Sequence, residues 1–153
     1  MAVTYPRLWL KHWRARQALT NYPLYDVPHK AAERTLPEEQ ARENFDYFMR
    51  VKLDRLVFFQ SWLRNNFRVN ASLDAGGAQS VDRWVDDYGG GLIGDEWGRS
   101  SIFDSYQPTW IRRYAGCNVM VDLGIFMGEF MILKRPKLYW EMYQGHQIEP
   151  ATF

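Results

Sequence analysis

Residues 117–136 read CNVMVDLGIFMGEFMILKRP, and the way this stretch folds decides the architecture of the whole chain. It is apolar on nearly every side, so a helix made from it needs neighbours around most of its circumference. Asn118 is placed to act as its N-cap, because the side-chain oxygen can accept from an unpaired first-turn N–H. Lys134 and Arg135 suit the negative C-terminal end, and Pro136 stops the helix. Gly124 and Gly128 lie on one face, where another backbone can approach. Each costs about 1 kcal/mol relative to Ala in a helix interior, so close packing has to offset them. Asp122 and Glu129 share a second face, and inside so apolar a helix both need hydrogen-bond partners or water. Asn118, Asp122 and Glu129 are therefore the expected buried polar residues. A bilayer span needs about 20 apolar residues, whereas Glu129 interrupts this run. The expectation is a buried central helix over residues 117–135.

Working outward, the clearest partner is a long helix over residues 36–67. Thr35 and Glu38 have capping-box spacing, and Pro37 falls in the first turn, where its missing N–H matters little. Ala41, Phe45, Phe48, Met49, Leu53, Leu56, Phe59, Leu63 and Phe67 then recur at threes and fours. The charged residues, Arg55 among them, fall mostly off that stripe. Such a helix is about 45 Å long at 1.5 Å per residue. Residues 5–22 predict a first helix with Leu8, Trp9 and Trp13 along a face. Residues 22–36, with Pro23 and Pro28, read as an irregular connection in which His29 is either a ligand or general base or, as lone loop histidines more often are, solvated. Residues 78–88 predict a third helix, with Val81, Trp84, Val85 and Tyr88 on one face and Gly89–Gly91 ending it. Residues 138–143 have the composition of a short C-terminal strand or hairpin. The fold class expected is mainly α: a helical bundle in one domain, residues 1–153. A C-terminal extension is compatible with the abrupt end at Phe153.

Composition bounds the function. With 46% hydrophobic and 16% aromatic residues, the chain can build a packed core. The one cysteine, Cys117, permits no intramolecular disulfide and no cysteine-rich metal site. The N-terminus has charges interrupting every short apolar run and reads as an ordinary cytoplasmic start rather than a secretory signal. Net charge is only +1 but uneven. Residues 1–36 hold Arg7, Lys11, Arg14, Arg16, Lys30 and Arg34 against Asp26 and Glu33. Residues 73–110 hold Asp74, Asp82, Asp86, Asp87, Asp95, Glu96 and Asp104 against Arg83 and Arg99. The two segments face each other or water, or the acidic one receives a basic partner. The basic, Trp-bearing N-terminus allows nucleic-acid contact, but near-neutral charge and the lack of a binding motif count against it.

Catalytic signatures are sparse. There is no G-x-S-x-G or H-E-x-x-H pattern, and the glycines at 89–91 are followed by acids, which repel phosphate. Asp122 and Glu129 are the best acid–base pair for a hydrolase. Asp86, Asp87, Asp95 and Glu96 are oxygen ligands of the type Mg²⁺ or Ca²⁺ prefers, without EF-hand spacing. The reading adopted has no catalytic residues, no metal and no cofactor.

NVMVDLGIFMGE at 118–129 followed by LYWE at 138–141, together with PLYDVPHK at 23–30 and the helix over 35–67, resembles small bacterial proteins. Some of these look like immunity proteins of interbacterial toxin systems, of the type VI secretion and polymorphic toxin kind. The resemblance implies a module that binds and occludes a cognate toxin; the reading adopted places it in the cytoplasm, with no nucleic-acid or membrane partner. An acidic, aromatic surface of Asp82, Asp86, Asp87, Asp95, Glu96, Trp97, Asp104 and Tyr106 would receive a basic toxin domain. The alternatives are the hydrolase and a structural subunit of a larger assembly.

Overall fold

A computed structural model describes residues 6–31, 35–92 and 110–142 of the chain. Its described residues form four α-helices: α1 (Pro6–Ala18), α2 (Glu38–Phe67), α3 (Ala75–Leu92) and α4 (Gly116–Lys134), with a 3₁₀ turn at Arg112–Tyr114 before α4. The protein is all-helical over these residues. Helix α1 packs on α3, while α2 and α3 both pack on α4.

The core gathers where α2, α3 and α4 meet. Phe59, Leu63, Val81, Val119, Ile125 and Phe126 are fully buried there. Around them Trp62, Trp84, Phe67 and Tyr88 form an aromatic cluster, with Trp62 and Trp84 edge to face at 5.7 Å. Trp62 Nε1 donates to Ala18 O at 2.9 Å, which ties the end of α1 to α2.

Helix α2 has the 30 residues its periodicity predicts. Its start differs: Pro37 occupies the N-cap with no side-chain cap, so the Thr35–Glu38 box does not open the helix. Its end is held by Arg68 in the left-handed region (φ 59°), with the Arg68 and Val69 N–H groups returning to Arg64 O and Leu63 O. The stripe also differs. Met49 and Leu53 are exposed, whereas Arg55 is buried, because an acid on α4 draws it inward.

Helix α3 begins earlier and ends later than expected. Asp74 Oδ1 accepts from Gly77 N at 2.8 Å and caps the first turn. Gly89–Gly91 do not stop the helix, because α1 crosses over them. A Cβ on Gly91 would lie 2.6 Å from His12 Cα.

Helix α4 is buried over half its length. Gly116–Val119, Asp122, Ile125 and Phe126 are inside, while Met127, Met131 and Leu133 are exposed. By length and composition alone it is long and apolar enough to cross a bilayer, with mean hydropathy 1.5. Its neighbours therefore surround one end rather than the whole rod. Ala115, not Asn118, stands at its N-cap, and Arg135 closes it before Pro136.

The expected C-terminal strand is not found. Residues 138–142 have no regular structure, and the segment is fixed by a side chain instead. Trp140 lies against Gly128, packs on Phe48 at 4.8 Å, and donates its Nε1 to Glu129 Oε1 at 2.8 Å. Tyr143 lies outside the described residues.

Candidate functional site

The chemistry-bearing side chains fall into three places: polar knots on α4, a small cavity beside them, and the outer face of α3. The knots begin with Asp122, which is fully buried. Arg55 of α2 grips it with two bonds, Nε to Oδ1 at 2.5 Å and Nη2 to Oδ2 at 2.9 Å. Tyr22 donates its hydroxyl to Oδ2 at 2.7 Å. Burial pushes the Asp122 carboxyl above its ordinary range, and the Arg55 and Tyr22 contacts pull it back. Burial also raises the Tyr22 hydroxyl, with the Asp122 charge adding to it.

Arg55 does more than neutralise Asp122. Its Nη1 donates to Leu24 O at 2.9 Å, and its Nη2 to Pro23 O at 3.3 Å. Asn118, fully buried, accepts from Tyr25 N at 2.7 Å and donates to Trp110 O at 2.8 Å. On α2, Asn44 accepts from His29 N at 3.0 Å and donates to His29 O at 2.9 Å. The connection over residues 22–31 has no helix or sheet of its own, so its backbone groups need side-chain partners. Arg55, Asn44 and Asn118 supply them. The first two knots fasten an irregular strap across α2 and α4.

Glu129 forms the third knot, accepting from Lys52 at 2.5 Å and from Trp140. Asp122 and Glu129 thus end on different cations, Arg55 and Lys52. Each carboxylate has a partner of its own.

The cavity, of about 220 Å³, is lined by residues of the strap (Tyr25, Val27, His29 and Ala31), by Asn44 and Phe48 of α2, and by Trp110 and Val121. His29 Nε2 lies 2.5 Å from Glu43 Oε2. His29 is partly covered where it joins the cavity wall, and its ring meets an exposed carboxylate, so it keeps access to water while having a partner. A separation of 14 residues between a strap and a helix leaves no signal in the sequence. Cys117, the lone thiol, is buried, and burial pushes it up to about 11.

The outer face of α3 carries Asp82, Asp86 and Asp87, all exposed. Asp87 pairs with Lys11 of α1 at 2.5 Å, so part of the charge asymmetry closes within the molecule. Asp82 and Asp86 have no ion-pair partner among the described residues. Asp95, Glu96, Trp97, Asp104 and Tyr106 lie outside the described residues, as does half of the carboxylate group considered for a divalent cation.

No family model matches this sequence, and neither a curated protein nor a solved structure matches it.

Proposed function

We propose that the chain is a protein-binding module, of the kind immunity proteins provide, and that it receives a basic partner on the outer face of α3. The observation that carries this is the pair Asp82 and Asp86, one turn apart, exposed and without an ion pair among the described residues. Like charges at this spacing cost a helix a few tenths of a kcal/mol. A cation on α3 itself would remove that cost, and Arg83 is the one basic residue the helix has. An incoming Lys or Arg surface relieves the repulsion and is steered by it during encounter. Helix α3 is rigidly backed, since Val81 and Trp84 on its other face are buried in the core. The partner therefore meets a preformed surface.

The product of the neighbouring open reading frame is the partner to test, by calorimetry at two salt concentrations. Affinity is expected to fall at least about tenfold for the double variant Asp82→Lys with Asp86→Lys, mostly through slower association. Binding that ignores both the double variant and the salt would remove α3 as the docking surface. No binding at all would remove the immunity reading.

A further inference from the structure

Helix α1 presents its apolar residues the wrong way round for a core element. At 3.6 residues per turn, Ala15 marks the side packed on α3, and it is fully buried. Trp9, Leu10 and Trp13 point away from that side and are 61%, 54% and 51% exposed. Leu8 is exposed as well but lies on the Ala15 side of the helix, outside this group. Arg7 and Arg14 flank this stripe on one edge and Arg16 flanks it on the other. The helix contains no Asp or Glu. Arg14 is partly engaged, donating to Asn66 O and lying over the Phe67 ring. Arg7 and Arg16 are exposed and have no salt bridge among the described residues.

We infer that α1 is an interfacial helix that lies flat on an anionic lipid surface. Trp and Leu on one face with arginines at its edges is the arrangement such helices use. The rings and Leu10 enter the headgroup–acyl boundary, and the guanidinium groups meet lipid phosphates and carboxylates. Charge complementarity selects an anionic surface over a zwitterionic one. A nucleic acid would use the arginines and stack on the rings but has no use for Leu10. The exposed stripe runs along one convex helix without a groove, so it fits a yielding bilayer better than a protein knob. Because α1 is already folded against α3, through the Lys11–Asp87 pair and the close approach of His12 to Gly91, docking carries no cost of helix formation. This surface is separate from the acidic one on α3, and the inference does not depend on the reading made there.

Flotation of the full chain with phosphatidylcholine vesicles, with and without phosphatidylserine, tests it. Binding is expected only where phosphatidylserine is present, and it should weaken as salt is raised. The paired variants Trp9→Ala with Trp13→Ala, and Arg7→Glu with Arg16→Glu, should each lower the partition at least about tenfold. Circular dichroism establishes that both remain helical. If the Trp variant unfolds, the Arg variant decides alone, since it alters only exposed groups outside the core. Absence of binding to anionic vesicles overturns the inference. So does binding that neither variant weakens, or tighter binding to single-stranded DNA with the same sensitivity to both variants.

Discussion

Helix α4 holds two carboxylates in two settings, and the comparison separates what a closed core demands from what a partly covered site tolerates. Asp122, in the inner half, has no access to water and is held by a forked guanidinium and a phenol. Glu129, at the start of the outer half, is held by a flexible ammonium and an indole from a segment without regular structure. The inner acid organises the strap that crosses the bundle. The outer acid holds one tryptophan down. A helix of nearly uniform composition is thus a core element at one end and a partly exposed rod at the other.

Removing the inner acid should have the largest effect. Asp122→Ala leaves Arg55 buried without its counter-charge and is expected to lower stability by about 3–5 kcal/mol in urea unfolding. The double variant Arg55→Met with Asp122→Leu should recover much of that loss, because a buried pair replaced by apolar groups is often close to neutral. Glu129→Ala should cost less, about 1–3 kcal/mol, since the Lys52 side chain is 12% exposed where that of Arg55 is 8% and Asp122 has no exposure at all. Equal losses for Asp122→Ala and Glu129→Ala would break the comparison.

The two glycines sharpen it further. A Cβ on Gly128 would stand 2.1 Å from the Trp140 ring, so Gly128→Ala should destabilise by about 1–3 kcal/mol. A Cβ on Gly124 meets nothing within 4 Å, so Gly124→Ala should stabilise by about 1 kcal/mol, the helix-propensity difference alone. Thermal unfolding of the two variants should therefore shift in opposite directions.

The smallest effect at neutral pH concerns Cys117 in the inner half. Its thiol is raised from 9.0 to about 11, so its contribution to stability is whole below pH 9 and is lost as pH rises through 11. Near pH ~8, alkylation by iodoacetamide should be about a hundredfold slower in the native protein than in urea, as a shift of about two units in thiolate fraction implies. Fast labelling would mean that the inner half opens readily.

Much of the helical framework is legible in the sequence. The stripe from Ala41 to Phe67 has a period, and the apolar run before Pro136 has a length and a stop signal, that local chemistry dictates. The middle of the chain is harder. Glycine at 89–91 reads as a terminator, yet a close helix crossing also requires a missing Cβ, and only the position of His12 tells the two apart. Hydropathy places Arg55 outside and Leu53 inside because it assigns faces one residue at a time. A buried acid 67 positions away reverses that assignment. Asn118, Asp122 and Glu129 can be flagged as polar groups needing partners, but neither the partners nor the strap they secure is encoded locally. On α3 the exposure of Asp82 and Asp86 follows from helical phase, whereas the Lys11 pairing of Asp87 depends on how α1 crosses.

One contact bears on how this architecture tolerates change. Gly116, at the start of α4, backs directly onto the Leu92 carbonyl at the end of α3, where a Cβ would stand 2.2 Å away. The end of α3 and the start of α4 thus meet at a single junction. A methyl group at residue 116 would push the start of α4 away from the end of α3, so the way these two helices meet depends on one absent side chain.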